Sequence, residues 1–283
     1  MYVALCPCIG DPSLRAVGIT HERDLSAFSS VLLRCKQFNI PVRFLPCSET
    51  QYLGEGRKPG HYLGRLDTDK FSSLLDSLEN TIRSEFVKDG QPSLIIGVDS
   101  SPVCGVNTTW YGSTKPGEGK IPGRGVFLSR FFDIPAYDVF DVACWRAYLA
   151  APLFSEAERD YNIKIAKSLS RYAISAYLPQ ETGDTSDTRS LVNQKEIFEA
   201  NIQALEAADL VIAVIDGADA DSGTAYEVGY AYAKGKRIIS IRTDFRCVGA
   251  NEAVNLMLEQ SSVVVHDIEA LIEAIPCPIQ LDY

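Results

Sequence analysis

The sequence contains no apolar run of about 18 residues or more, so no transmembrane helix and no membrane partner are expected. Residues 1–10 carry no basic flank ahead of an apolar stretch and read as a first buried strand rather than an export signal. No Lys/Arg-rich run is present, and the formal net charge is −10. A protein that tracks the phosphates of nucleic acid would carry a basic face, so no nucleic-acid partner is expected and small, weakly charged ligands fit better. The eight cysteines include no Cys-x-x-Cys pair, which removes the generic zinc-ribbon signal. Without an export signal they are expected as thiols or metal ligands in a cytoplasmic protein, not as disulfides. Internal repeats and low-complexity tracts are absent as well.

What remains is an ordinary globular composition, 46% hydrophobic over 283 residues, a length that favours two domains. The clearest boundary falls near 141–144, predicting domains 1–141 and 142–283. In the second half, strand patterns at 145–151, 173–178, 210–215, 237–241 and 262–265 alternate with helix patterns at 155–172, 190–207, 224–235, 251–259 and 267–274. Strands apolar on both faces and separated by helices predict a small doubly wound, flavodoxin-like parallel sheet, with ligands beyond the carboxyl ends of the strands. The first half is also α/β. Strands are expected at 2–5, 42–45 and 94–98, and a further apolar strand pattern covers 134–140. Helices are expected at 23–38 and 68–87. Two long Gly/Pro-rich loops, 47–62 and 99–124, have no regular pattern.

The most informative segment runs Asp216-Gly-Ala-Asp-Ala-Asp221-Ser-Gly223-Thr224-Ala-Tyr-Glu227. A strand ends at Ile215, an acidic loop follows, and a helix opens near Gly223. Asp221 is thereby expected in the loop and Glu227 on the first helical turn, both facing a pocket at the strand ends. Cleavage of an N-glycosidic bond builds positive charge on the anomeric carbon, which a carboxylate can capture as an ester. A helix N-terminus would keep that carboxylate ionised. Thr224-x-x-Glu227 also fits a capping box, in which Glu227 only satisfies a backbone N–H.

Asp209-Leu-Val-Ile-Ala-Val-Ile-Asp216-Gly, then Asp221-Ser-Gly-Thr-Ala-Tyr-Glu227-Val-Gly-Tyr-Ala and Lys234-Gly-Lys236 resemble the signature of the nucleoside 2'-deoxyribosyltransferase family. The resemblance implies Glu227 as nucleophile and Asp221 as the acid that positions sugar and nucleophile. Tyr148-Leu-Ala-Ala-Pro-Leu-Phe resembles the family's first strand and loop, whose tyrosine holds the nucleophile. Asn255-Leu-Met257 resembles the segment that reaches a neighbouring subunit's site, which implies a homo-oligomer, and Tyr283 resembles the family's C-terminal aromatic. Gly223 and Thr224 are further expected substrate contacts, and Gln180, after the second strand, sits where either a base-contacting group or an ordinary surface loop residue could lie. One position departs from the pattern: where the family has an aspartate that assists proton transfer at the base, this chain has Asn201, which can hydrogen-bond but cannot act as a general acid. No cofactor is implied for this half. Arg242 and Arg246 are isolated candidates for a 5'-phosphate.

In the first half, Cys8, Cys47 and Cys104 each follow a predicted strand, and in a parallel sheet those ends converge. Three thiolates there suit a metal or iron–sulfur centre, although free cysteine is also a common core residue. Cys8 with Arg15 and Gly18, Pro46-Cys47-Ser-Glu49 with Gly54 and Arg57, and Ser101-Pro-Val-Cys104-Gly with Gly123-Arg-Gly125-Val resemble the 2-thiouracil desulfurase family. The resemblance implies a [4Fe-4S] cluster on Cys8, Cys47 and Cys104, Glu49 in acid–base chemistry and Ser101 in the pocket, with Cys6 a neighbour able to replace Cys8. Together these features predict an enzyme acting on the N-glycosidic bond of nucleosides, by transfer to a nucleobase, with a desulfurase-like domain for thiolated bases. Hydrolysis of the glycosyl ester, or a non-catalytic nucleotide-binding module, are the alternatives.

Overall fold

The computed structural model describes residues 1–113, 118–181, 191–247, 249, 252 and 254–281, with the side chains of 191 and 192 left out. The chain divides into two compact units, Met1–Ala143 and Cys144–Tyr283. Among the described residues no helix is long and apolar enough to cross a membrane.

The first unit runs β1 (Val3–Leu5), α1 (Glu22–Gln37), β2 (Val42–Phe44), α2 (Ser48–Leu53), α3 (Tyr62–Arg65), α4 (Asp69–Asp89), β3 (Leu94–Gly97), β4 (Thr108–Trp110), β5 (Lys120–Pro122), β6 (Ala136–Asp138) and α5 (Val139–Val142). Its main sheet has the order β2-β1-β3-β6, all parallel. The central strands β1 and β3 are buried at every position, which explains why both read as uninterrupted apolar runs. The strand pattern at 134–140 is cut short because Asp138 accepts from Phe140 N at 3.0 Å and caps α5. The two segments expected as plain loops are partly ordered. Cys47 caps the short helix α2, and β4 pairs with β5 as an antiparallel hairpin. Short elements of this kind carry too few residues to show a hydrophobic period.

The second unit runs β7 (Arg146–Ala150), α6 (Glu156–Ser170), β8 (Ser175–Tyr177), α7 (Leu191–Ala207), β9 (Leu210–Val214), α8 (Ser222–Ala233), β10 (Arg237–Ile241), α9 (Leu256–Ser261), β11 (Val263–Val265) and α10 (Ile268–Ala274). The sheet order is β11-β10-β9-β7-β8, parallel throughout. This is the doubly wound, flavodoxin-like arrangement, whose strand order reverses between β7 and β9. Successive residues on a strand face opposite sides. Accordingly Ala147, Leu149, Leu210, Ile212 and Val214 pack with Ile165 and Leu169 of α6 and Leu271 of α10. Tyr148, Ala150, Val211 and Ala213 pack on the other face with Leu205 of α7 and Val228 and Ala231 of α8. The helix expected at 251–259 is shorter: Gly249 and Glu252 form an isolated antiparallel bridge, and α9 begins only after Asn255.

Candidate active site of the second unit and a thiol-lined cavity in the first

Asp221 is the N-cap of α8: its carboxylate accepts from Thr224 N at 3.0 Å. Helix α8 therefore starts at Ser222, earlier than the sequence pattern suggests, and Glu227 falls on its second turn rather than its first. Asp221 takes the capping position through Thr224 N, so Glu227, six residues on, is not part of a capping box. Thr224 is buried, its hydroxyl 3.5 Å from the same carboxylate oxygen. A Cβ added at Gly223 would sit 3.0 Å from Asp221 Oδ2, so the glycine leaves room for the carboxylate to fold over the helix start.

Glu227 points instead at the sheet. Tyr148, fully buried in the middle of β7, donates its hydroxyl to Glu227 Oε1 at 2.5 Å. Burial pushes the Glu227 carboxyl up to about 7; the Tyr148 hydrogen bond works in the opposite direction, and the charge of Asp221 adds to the rise. A carboxylate kept ionised by a helix N-terminus is thus not what the fold produces. One turn into the helix the N–H charges no longer dominate, and desolvation does. Burial, and then the charge of Glu227, hold the Tyr148 phenol well above its ordinary value, so it remains a proton donor.

Tyr148 is paired in register with Tyr177 on the neighbouring strand, and their rings stack at 5.4 Å with an interplanar angle of 17°. The Tyr177 hydroxyl donates to Asn201 Oδ1 of α7 at 3.0 Å. Asn201, Tyr177, Tyr148 and Glu227 are thereby linked in one chain of polar and aromatic contacts, with the charge of Asp221 acting on Glu227. Tyr177 was not singled out from the sequence; its only signal was an aromatic at the end of a strand adjacent to Tyr148. Beyond β9 and β10 the loops brace each other. Asp216 accepts from Thr243 N and Asp244 N at 2.6 and 2.9 Å, and Asp244 accepts from Gly217 N at 3.1 Å. The two arginines considered for a phosphate serve this brace. Arg242 donates to Ile215 O and Arg246 O, and Arg246 pairs with Asp244, whose carboxyl it holds well below the usual range.

Three further expected substrate contacts are engaged in other ways. Gln180 accepts from Asn162 Nδ2 at 3.0 Å and donates to Arg159 O at 3.1 Å, so its amide ties the turn after β8 to α6. Asn255 caps α9, accepting from Met257 N at 3.0 Å. With Met257, which is 76% exposed, it lines a groove of about 460 Å³ against Ala225, Gly229 and Tyr232 of α8. At about 100° per residue, Ala225 and Glu227 lie on opposite sides of that helix, so these residues do not meet Glu227 within one chain. Tyr283 lies outside the described residues.

In the first unit, Cys8, Cys47, Cys104, Glu49 and Ser101 do line one cavity, of about 710 Å³, at the carboxyl ends of β1, β2 and β3. Cys47 accepts from Thr50 N at 3.4 Å and from Thr50 Oγ1 at 3.0 Å. Ser101 Oγ accepts from Cys104 N at 3.0 Å and shapes the turn that carries this thiol. Glu49 Oε1 lies 2.9 Å from Arg57 Nε, close enough for an ion pair though the N–H is not aimed at the oxygen; both side chains are buried. Cys6 is fully buried and hydrogen-bonds Cys104; Cys8, not Cys6, faces the cavity. Burial pushes the Cys8 thiol up to about 12, and the Cys6 contact together with burial raises Cys104 well above the ordinary thiol range. Among the described residues no group of three His, Cys, Asp or Glu side chains is placed to hold a single metal ion. A multi-iron cluster is larger than one ion and takes its thiols from further apart, and three thiols around one cavity suit that donor set.

Comparison with known families matches residues 147–267 to the nucleoside 2-deoxyribosyltransferases. Curated protein sequences yield no match. Among solved structures, a conserved protein from Enterococcus faecalis V583 is 31% identical, over 46% of this chain and 96% of that one, with a TM-score of 0.41. The 2-deoxyribosyltransferase of Bacillus psychrosaccharolyticus is 23% identical, over 48% of this chain and 99% of that one, with a TM-score of 0.40. The enzyme of the same name from Leishmania mexicana is 24% identical, over 47% and 97%, with a TM-score of 0.40. Residues 147–267, which hold Tyr148, Asn201, Asp221 and Glu227 on their parallel sheet and its helices, are a domain of the nucleoside 2-deoxyribosyltransferase family.

Proposed function

We propose that this chain breaks the N-glycosidic bond of (deoxy)nucleosides through a covalent ester on Glu227 and passes the sugar to a second base. The observation that carries this reading is the half-buried Glu227 carboxyl held by Tyr148, with the charge of Asp221 acting on it. In its ionised form Glu227 attacks the anomeric carbon, and the departing base takes the electron pair of the broken C–N bond. The Tyr148 hydrogen bond aims the carboxylate, and Asp221 orients sugar hydroxyls. Asn201 hydrogen-bonds the base without supplying a proton. An incoming base, or water, then attacks the same carbon and releases Glu227. Water is a serious competitor because an amide stands where an acid would help protonate a base. Incubation with a deoxynucleoside and a second free base is the test. Base exchange supports transfer, release of free base alone supports hydrolysis, and no turnover by folded protein defeats both. A mass shift on Glu227 after reaction with a 2-fluoro nucleoside is the expected sign of the ester.

The active form is a homo-oligomer in which Asn255 and Met257 complete a neighbour's site, which accounts for their exposed position away from Glu227 of their own chain. Mixed Glu227→Ala and Asn255→Ala subunits should regain activity that neither has alone; a fully active monomer by light scattering would exclude the arrangement.

For the first unit, Cys8, Cys47 and Cys104 would hold a [4Fe-4S] cluster, which when bound supplies one open iron able to take sulfur from a thiolated base. Raised thiol values of Cys8 and Cys104 mean that ionised ligands arise only with the positive charge of the metal. Glu49 and Ser101 face the same space, where the first can exchange a proton and the second shape the pocket. Anaerobic reconstitution followed by iron and sulfide analysis should show about four irons in the wild type and loss in each Cys→Ser variant. A protein that stays colourless and iron-free removes this part of the proposal.

A further inference from the structure

A side-chain amide accepts at one end and donates at the other, so what an asparagine reads depends on which end is already taken. Asn201, on α7, has its carbonyl oxygen Oδ1 taken by the Tyr177 hydroxyl, which donates to it at 3.0 Å. Its Nδ2 has no partner among the described residues and is open to solvent, in a side chain that is otherwise half-buried. The phenol that sets this polarity is itself held in place. The Tyr177 ring stacks on Tyr148 at 5.4 Å, in register on the neighbouring parallel strand, so the two rings leave the sheet on the same side. One hydroxyl meets Glu227 and the other meets Asn201.

Asn201 therefore stands one ring stack away from the tyrosine that aims Glu227. A base whose sugar carbon lies against Glu227 extends away from it by its own width. The edge far from the glycosidic bond is where oxo and amino groups tell the bases apart. A donor placed there pairs with a carbonyl oxygen, whereas an amino group opposite it leaves donor facing donor and both without a partner. We propose that Asn201, its amide turned by Tyr177, selects nucleosides whose base presents an oxo group, such as hypoxanthine or uracil, over the amino-bearing adenine and cytosine. This selection rests on the reading of Glu227 as the group that attacks the anomeric carbon. Tyr177 is a positioning residue, acting only through the orientation of the amide.

The experiment measures base release or exchange by the full chain from deoxyinosine against deoxyadenosine and from deoxyuridine against deoxycytidine, read as ratios of kcat/KM. The intrinsic lability of the bond differs between bases, so each wild-type ratio is set against the same ratio in Asn201→Ala, where lability cancels. In each pair that is turned over, the oxo-over-amino ratio should fall about tenfold in Asn201→Ala, the scale of one hydrogen bond gained against one lost. Tyr177→Phe keeps the ring stack and frees the amide to turn round, so it should bring the ratio down to about the Asn201→Ala value. Asn201→Asp, an acceptor when ionised, should shift the ratio past that value toward the amino bases. A ratio unchanged within about twofold in Asn201→Ala, or a Tyr177→Phe protein that keeps the wild-type ratio, would overturn the inference and leave the reading of Glu227 intact. No release or exchange from any of these substrates by folded protein would defeat that reading, and the inference with it.

Discussion

Replacing Tyr148 by Phe removes one hydroxyl from a buried aromatic wall and leaves the ring stack on Tyr177 in place. In the native site that hydroxyl, 2.5 Å from Glu227, favours the ionised carboxylate and offsets part of the rise that burial imposes. A hydrogen bond to a charged group contributes roughly 1.5–3 kcal/mol, and 1.36 kcal/mol corresponds to one pKa unit, so its loss should lift the carboxyl from about 7 to about 8 or above. Attack on the anomeric carbon needs the ionised form, so kcat/KM should rise with pH through the Glu227 pKa and then level off. Base release from a deoxynucleoside, followed chromatographically from about pH 5 to 9.5, should place that limb near neutrality in the wild type. In Tyr148→Phe it should lie about one unit higher, with about an eightfold deficit at pH 6.5 that nearly vanishes at pH 9.5. A loss of the same size at every pH would mean that the hydroxyl only positions Glu227. A wild-type limb at the ordinary carboxylate value would refute the coupling between burial and reactivity on which the prediction rests.

Glu227→Ala should lower glycosyl transfer or hydrolysis by about 10³-fold or more with the fold retained, and near-normal turnover would be incompatible with a covalent role. Folding raises the Glu227 carboxyl from 4.5 to about 7, so the native state binds this proton more tightly than the unfolded chain. The stability it contributes is full below about pH 4.5 and is lost as pH rises through 7, by about 3 kcal/mol at most. Urea unfolding should therefore show Glu227→Gln gaining on the wild type as pH rises from 4 to 9; parallel pH curves would contradict this. Asp221→Asn keeps a good N-cap while removing the charge that raises Glu227, so the rate limb should move to lower pH with little loss of melting temperature. Ile212→Ala, on the fully buried central strand β9, should cost about 2–5 kcal/mol by denaturant titration and leave the pH profile of the remaining activity unchanged.

Much of the fold was legible because its strands are short apolar runs set between amphipathic helices, and a parallel sheet buried on both faces demands that pattern. Elements at 210–214 and 237–241 fall where the sequence places them to within a residue. Helix α2 and the β4–β5 hairpin were not legible, since three to six residues cannot display a period and their order comes from caps and cross-strand pairing. The start of α8 was misjudged by two residues because two capping schemes compete in the same letters. Asp221 wins because it can fold back onto Thr224 N across Gly223.

By itself, the sequence determined which residues could carry the chemistry: the Asp221 and Glu227 pair after a buried strand, and three cysteines after three others. It also determined the α/β class, because hydrophobic periodicity is a local property. Only the tertiary structure decided that Glu227 turns inward to Tyr148 and is held near neutrality by burial, since desolvation depends on atoms contributed by a strand 79 residues away in the chain. It alone put Asn255 and Met257 on a groove away from that carboxylate and tied the Gln180 amide to α6, through contacts that spacing along the chain cannot show. The surroundings of a side chain exist only once the chain has folded.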